Sequence, residues 1–470
     1  MVTTMNSSGI HLSRISKLFL DRDQATLEET LARRQRHAVT LHCGPDVEQS
    51  YTLQLAVLTA ANIASRCFPN AVKVSLASGL SDARLLLWPS LSWTFGHALT
   101  EIAGANVLVD RDAVGPEGKG VIFGAVSPKA DCLRVTFDGW AAKVGPSIAL
   151  SRLSEREYCS LAGILGGSLA ISEIFLSFAE ISIEAGRRIV GFSLWRPDLD
   201  VSDPAALGVP VEFLPRELWA LGLGHLGNAY LWALATLRYD SAAQVEILLN
   251  DFDKVESENA ETGLLFKASH TASYKTRVCS DWLESRGFQT RLVERPFDSN
   301  FRCRDDEPRL AFCGFDLNAA RRDLATAKFL RVIESGLGGT PSNFDTISLH
   351  TLPNPRKPEE LWPEFTPEEA AKRADIQRHA ANENPAYLRL EDNECGRAEL
   401  AGKSVAVPFV GATAGTLVTA EILRLLHGGP QYTDIKLTLG DPQRRAAPMA
   451  GAYGAKDFVG LKCCDAKITK

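Results

Sequence analysis

Gly222-Leu-Gly-His-Leu-Gly227 follows an apolar run, Leu218–Leu221, and opens a helix-like segment from Gly227 to Leu237. Glycines at this spacing let the chain turn tightly and bring its backbone against a phosphate. The N-terminus of the following helix adds N–H donors and a partial positive charge. Asp251 falls 24 residues beyond Gly227, at the end of a second strand-like run, Glu246–Asn250. A carboxylate there accepts hydrogen bonds from ribose hydroxyls. The combination specifies a nucleotide and leaves NAD, FAD and ATP open.

The elements that must hold these residues alternate. Ala38–Leu41, Val72–Ser75, Val107–Val109, Ala243–Leu249, Thr290–Val293, Leu310–Cys313 and Thr346–Leu349 read as short buried strands, and helix-like segments separate them. That alternation implies α/β architecture with parallel-rich sheets. A turn-rich stretch, Arg196–Pro204, divides the 470 residues into two parts. The first part opens like the second, with Ala38–Leu41 leading through Gly44 to a helix-like segment from Gln49 to Ser65. Each part closes on an apolar helix. Gly163, Gly167, Leu169, Glu173 and Ile174 match Gly411, Gly415, Leu417, Glu421 and Ile422 at one constant offset of 248 positions. The opening glycines are only 178 apart, so the second copy carries about 70 extra residues. Much of that excess lies at 352–400. It is rich in proline and charge, with one well-signalled helix capped by Thr366, Pro367 and Glu369. An internal duplication accounts for the pattern.

Composition narrows the partners. With 45% hydrophobic and 23% charged residues this is a globular protein of two or three domains. A net charge of -6 without a basic face argues against nucleic acid. Leu161–Phe178 is apolar but carries Ser168, Ser172 and Glu173, and is expected to be a buried helix rather than a membrane span. Residues 1–20 lack the pattern of a signal peptide. The ten cysteines form no CxxC pair, which points away from a thiolate zinc site and toward a reducing, cytoplasmic setting.

The segment after Asp251 separates dehydrogenases from adenylating enzymes. It runs Asn250-Asp-Phe-Asp-Lys-Val-Glu-Ser-Glu-Asn259, then Gly-Leu-Leu-Phe at 263–266, then Tyr274-Lys275 at the head of a helix. Beyond it come Cys313-Gly-Phe-Asp316, with Arg321 and Arg322, and Val405-Ala-Val-Pro-Phe-Val-Gly-Ala-Thr-Ala-Gly415. These blocks, in this order over roughly residues 210–430, resemble the ThiF, MoeB and ubiquitin-activating enzyme superfamily. The resemblance implies an enzyme that joins a carboxylate to the α-phosphate of ATP. Gly222, Gly224 and Gly227 then supply backbone donors, and Asp251 and Asp253 belong to the nucleotide site. Asn259 orients a phosphate or the attacking carboxylate without adding charge. Lys275 neutralises developing charge, worth roughly 3–4 kcal/mol by analogy with single electrostatic donors, and Asp316 carries Mg2+.

Two departures stand out. The family's Arg-Gln pair three residues after the asparagine is replaced by Thr262 and Gly263. The companion copy in this family lends an arginine, for which Arg14 and Arg22 are both candidates. The first half reads Gly44-Pro-Asp-Val-Glu-Gln49, lacks the second and third glycines, and would repel pyrophosphate with Asp46 and Glu48. It resembles the inactive adenylation half of ubiquitin-activating enzymes. Glu394-Cys-Gly396 ends the inserted segment, where the family carries its thiol, so Cys395 is the candidate nucleophile. Cys279 and Cys313 read as core residues.

The expected fold is two Rossmann-like adenylation domains in tandem, with parallel-rich sheets. Residues 1–205 form the degenerate N-terminal domain. Residues 206–470 form the active C-terminal domain, with the cysteine-bearing crossover insertion at about 352–400. The two-copy plan with a cysteine resembles the activating enzyme of bacterial ubiquitin-like conjugation operons, the BilD type, associated with defence against phage. It implies a ubiquitin-like protein and a ubiquitin-conjugating-like enzyme as partners, and leaves a homodimer open. The alternatives are a sulfur-carrier or small-molecule adenylyltransferase without thioester transfer, a nicotinamide oxidoreductase, and an inactive scaffold.

Overall fold

The computed structural model describes residues 12–104, 108–110, 119–391, 393–450 and 460–467. Two large sheets organise the protein. The first contains β1 (Val39–Cys43), β2 (Val72–Leu76), β3 (Leu108–Asp110), β4 (Lys119–Phe123), β5 (Cys132–Asp138), β6 (Ala141–Pro146) and β7 (Val190–Ser193). Their order is β3-β2-β1-β4-β5-β6-β7, parallel as far as β5 and antiparallel beyond. After the short β8 (Phe213–Pro215) comes the second sheet: β9 (Glu217–Leu221), β10 (Glu246–Asn250), β11 (Gln289–Val293), β12 (Leu310–Cys313), β13 (Arg331–Leu337), β14 (Thr346–Leu352), β15 (Asp434–Thr438) and β16 (Asp441–Ala446). Its order, β11-β10-β9-β12-β13-β14-β15-β16, repeats the first sheet and adds one edge strand. The parallel and antiparallel pairings switch at the same point. A last strand, β17 (Cys463–Asp465), returns to pair with β8. The strand expected at Val107–Val109 lies one residue later, Val107 itself falling outside the described residues.

The central strands β5 and β12 are buried along their whole length, as strands covered on both faces must be. Antiparallel strands such as β6 and β15 went unrecognised in the sequence, because Ala141–Pro146 and Asp434–Thr438 lack a clean apolar run.

The matched glycines perform one task twice. A Cβ at Gly167 would stand 2.6 Å from the Ala56 carbonyl oxygen, and one at Gly415 would stand 2.5 Å from that of Ala229. Each closing helix, Leu161–Phe178 or Pro408–Leu426, therefore lies backbone to backbone on the helix after its own opening strand, Tyr51–Cys67 or His225–Ala235. The two closing helices also meet each other, with Ser168 and Thr413 sharing a buried hydroxyl hydrogen bond of 3.0 Å. Both are long and apolar enough to cross a membrane, but about nine-tenths of each is buried inside the protein.

The insertion folds into the helices Pro358–Leu361, Pro367–Glu383, Pro385–Leu390 and Glu394–Gly402. Thr366 and Glu369 form the capping box read from the sequence. The insertion docks on the N-terminal helix Lys17–Asp23. Leu12 and Leu20 pack with Ala386, Tyr387 and Leu400. Buried Lys17 donates to the Tyr387 hydroxyl at 2.6 Å, which donates in turn to Asp21 at 2.6 Å. The Asn384 amide donates to the Leu20 carbonyl at 2.8 Å.

Candidate active site

The C-terminal ends of β10, β9 and β12 lie side by side, with Leu221 in register with both Asn250 and Cys313. Three segments therefore leave the sheet along one edge: the glycine turn, residues 251–253, and residues 314–316. In open parallel sheets, ligands bind at this edge. Gly222 takes φ +75, which favours glycine, and a Cβ there would reach the Phe315 ring at 2.9 Å. A Cβ at Gly227 would collide with the Gly222 carbonyl oxygen. Gly224, the first residue before the helix, has nothing within 4 Å of where a Cβ would be and no side-chain cap. The helix N–H groups there are available to an anion.

Asp251 holds this turn together. It is buried, and its two oxygens accept the N–H groups of Leu223 at 2.6 Å and Asp253 at 2.8 Å. Burial raises its pKa, with the charge of Lys275 opposing. Lys275 is mostly buried, and its ammonium pairs with the half-exposed Asp253 carboxylate at 2.9 Å. Asn259 accepts the Glu256 N–H at 2.9 Å through its side-chain oxygen. Asp316 is exposed at the end of β12 and has no hydrogen bond or ion pair among the described residues. Arg321 fixes the loop before it, donating to the Phe315 carbonyl at 2.6 and 2.9 Å and lying 3.0 Å from buried Glu334. Arg322 instead reaches the insertion, donating to the Trp362 carbonyl at 2.8 Å.

Three contributors were missed in the sequence. Asn228 donates to the carbonyls of Leu223 at 2.8 Å and Gly224 at 3.0 Å, and accepts the Leu265 N–H at 3.0 Å. Arg66, from the first half, donates to the carbonyls of Gly263, Leu264 and Phe266. It braces the loop in which Thr262 and Gly263 replace the expected arginine and glutamine. His225 is the third: neither of its buried ring nitrogens has a partner, and burial followed by the charge of Arg14 lowers its pKa to about 4. An Asn one turn into a helix and a lone Arg carry no motif, but a His inside a glycine turn is a signal that the order of residues exposes.

Of the two arginine candidates, Arg22 is occupied by Asp23 at 2.6 and 2.8 Å. Arg14 crosses to the second half, where it contacts Glu258 at 3.4 Å and the Ser404 carbonyl. Cys395 is exposed at the second residue of the helix Glu394–Gly402, and its N–H is capped by Asn393 at 2.9 Å. Neighbouring Arg397 is directed to Asn382 and to the Glu391 carbonyl. Cys279 and Cys313 are buried, and burial pushes both thiols up. Two clefts of about 340 and 750 Å3 open elsewhere, and neither is lined by the glycine turn, Asp316 or Cys395.

A glycine turn at the C-terminal edge of the parallel part of a doubly wound sheet is the place where α/β proteins of this architecture hold nucleotides. The chain belongs to the BilD family: residues 38–194 match the BilD N-terminal domain and residues 214–429 the BilD C-terminal domain. It is 34% identical over 439 residues to the bacterial E1-like protein BilD of Collimonas sp. (strain OK412), with 92% of each sequence covered. Among solved structures it is similar to E. coli MccB, with 14% identity, 50% of this chain, 62% of that chain and a TM-score of 0.35. It is also similar to E. coli MccB with AMPCPP and selenomethionine MccA, with 13% identity, 68% and 95% coverage and a TM-score of 0.37. Likeness at that level is too slight to transfer chemistry, and the chain spans just under two-thirds of the first of these two structures.

Proposed function

We propose that this protein uses ATP to adenylate the C-terminal carboxylate of a ubiquitin-like protein, holds the acyl group as a thioester on Cys395, and passes it to a ubiquitin-conjugating-like enzyme. The observation that carries the reading is the convergence on one sheet edge of the glycine turn, the Lys275–Asp253 pair and the unengaged carboxylate of Asp316, in a member of the BilD family. On this reading residues 1–205 are a degenerate adenylation domain and residues 206–470 the active one, with the cysteine on the insertion at about 352–400. The setting is a cytoplasmic conjugation system of the antiphage kind.

Each residue then has a task. The turn amides and the helix N-terminus cradle the phosphates. Lys275 offsets the charge that builds as the carboxylate oxygen bonds to the α-phosphorus and pyrophosphate leaves. Asn259, whose oxygen is engaged by Glu256, keeps its amide N–H groups for a phosphate or the attacking carboxylate. Asp251 preserves the shape of the turn and retains lone pairs for a ribose. Arg14 is the arginine that the first half lends to the second. Asp316 fits Mg2+, which takes one or two protein carboxylates and fills its shell with phosphate and water; bound there, the ion would neutralise phosphate charge. In the second step the Cys395 sulfur bonds to the acyl carbon, AMP leaves, and the thiol proton goes to solvent.

Carrier-dependent exchange of pyrophosphate into ATP, read together with the intact mass of the protein, tests both steps. Wild type should exchange and gain a thiol-labile carrier adduct, while Cys395→Ser should keep exchange and lose that lability. Wild type without exchange removes the adenylation reading, and a thiol-labile adduct on Cys395→Ser removes the cysteine assignment. Exchange with no adduct favours an adenylyltransferase without thioester transfer.

A further inference from the structure

The cleft of about 750 Å3 opens between the two halves, walled by Trp93 and Ile102 of the first and by Leu264, Tyr274, Val278 and Trp282 of the second. Arg286 lines it and is only 5% exposed. Its guanidinium lies 3.9 Å from the ring centre of Trp282, 4.5 Å from Trp88 and 5.6 Å from Trp93. Nη1 donates to the Trp282 carbonyl at 2.9 Å and to the Ser285 hydroxyl at 3.0 Å. Nε is buried with no partner, and no carboxylate forms an ion pair with the group among the described residues. Burial pulls its pKa down to about 10, with Glu101 opposing, so the group stays charged at neutral pH. The indoles offset part of the cost of burying this charge. An unmet N–H on a buried cation still calls for an anionic acceptor.

The surrounding charges select the anion. Lys267 is paired with Glu101 at 2.6 Å, Arg277 with Glu294 at 3.0 Å, and Arg66 is taken up by backbone carbonyls. Arg286 and Lys254 remain uncommitted to an acid, and Asp281 shares the lining. Arg286, Lys254 and Arg66 against Asp281 leave about two net positive charges, but the Arg66 N–H groups are already taken by carbonyls, so about one cation is free to meet a ligand. That is too little to hold a polyphosphate and matches one carboxylate, whose two oxygens suit the planar edge of a guanidinium. The walls are apolar and aromatic, so the body behind the carboxylate is apolar.

We propose that this cleft binds a polypeptide segment presenting a single carboxylate on an apolar body, the carboxylate meeting the Arg286 guanidinium and the apolar side chain lying against Trp93 and Trp282. The site is independent of the adenylation reading. An aspartate or glutamate side chain and the terminal carboxylate of a polypeptide offer the same chemistry, and the test separates them.

Tryptophan fluorescence of the full-length protein is titrated with three probes. N-acetyl-Leu-Phe carries a free terminal carboxylate, N-acetyl-Phe-Asp-Leu-amide a side-chain carboxylate, and N-acetyl-Leu-Phe-amide none. At least one acid probe should give a saturable change, with the amide at least about tenfold weaker. Arg286→Leu, which keeps the apolar volume, should weaken the acid probe by at least about tenfold. Lys254→Ala, at an exposed position, should weaken it about two- to fivefold, and it carries the test if Arg286→Leu does not fold. The better of the two acid probes identifies the source. No saturable change with either acid, equal binding of acid and amide, or unaltered binding to the folded variants overturns the proposal.

Discussion

After β1, Gly44 leads into a short 3-10 turn, Pro45–Glu48, whose Asp46 carboxylate accepts the Ala125 N–H at 2.6 Å and pairs with Arg152 at 2.7 Å. After β9, Gly222 leads into a turn that stays open at Gly224. The first glycine is needed in both places for the same reason. A Cβ at Gly44 would press on the Ala125 backbone at 2.6 Å, and one at Gly222 would press on Phe315 at 2.9 Å and on Gly314. The neighbouring strand imposes this glycine. Gly224 differs, because nothing in the protein crowds it, so its missing side chain serves whatever approaches from outside. The first half has filled the equivalent corner with its own anion, already satisfied by a backbone N–H and an arginine.

The comparison breaks most sharply at Lys275, which has no counterpart among the described residues of the first half. Lys275→Ala should cut pyrophosphate exchange by about 100- to 1000-fold, roughly 3–4 kcal/mol, and a loss below threefold would remove it from the chemistry. Next come the two glycines, which should fail in opposite ways. Gly224→Val should cost less than about 1 kcal/mol in stability yet lower exchange by at least about tenfold. Gly44→Ala should cost about 1–3 kcal/mol in denaturant unfolding and leave exchange per folded molecule unchanged. If both act alike, the two turns are not divided as described.

A pH dependence should be visible at His225. Its folded pKa is lowered from 6.5 to about 4, by burial first. The unfolded chain therefore takes up a proton where the folded one does not. This stability is complete above about pH 6.5 and is lost as pH falls toward 4. Between pH 6.5 and 5 the loss should be about 1.6 kcal/mol, and His225→Gln should remove most of it; an equal loss in the variant would show that other groups govern the acid limb. The smallest effect belongs to Asp46→Asn. Its partly exposed pair with Arg152 is worth at most about 1 kcal/mol, and exchange should stay within about twofold. A larger fall would mean that the first turn takes part in the reaction.

What the sequence reveals here follows the range of the physics. The glycine turn, the carboxylate ending β10 and the capped helix Pro367–Glu383 depend on contacts within a few residues, and each is found where its spacing predicts. The repeated closing helices were legible because Gly163 and Gly167, like Gly411 and Gly415, must keep one helix face free of side chains. Arg66 and Asn228 stayed hidden, and Arg14 was legible only as one of two candidates. Arg66 and Arg14 act across about 200 positions or more, and Asn228 acts through backbone carbonyls that no pattern names. Preferring Arg14 over Arg22, as the proposed function does, rests on the Asp23 pair that already holds Arg22.

The clasp of Lys17, Asp21 and Tyr387 joins residues about 370 positions apart and fastens the thiol-bearing insertion to the N-terminal helix. The insertion that carries Cys395 is thus held from outside the half that contains it. Trimming the helix Lys17–Asp23 would leave the glycine turn intact and set the insertion adrift. A half whose own corner is filled by Asp46 keeps a hold on the molecule as the mooring of the other half's insertion.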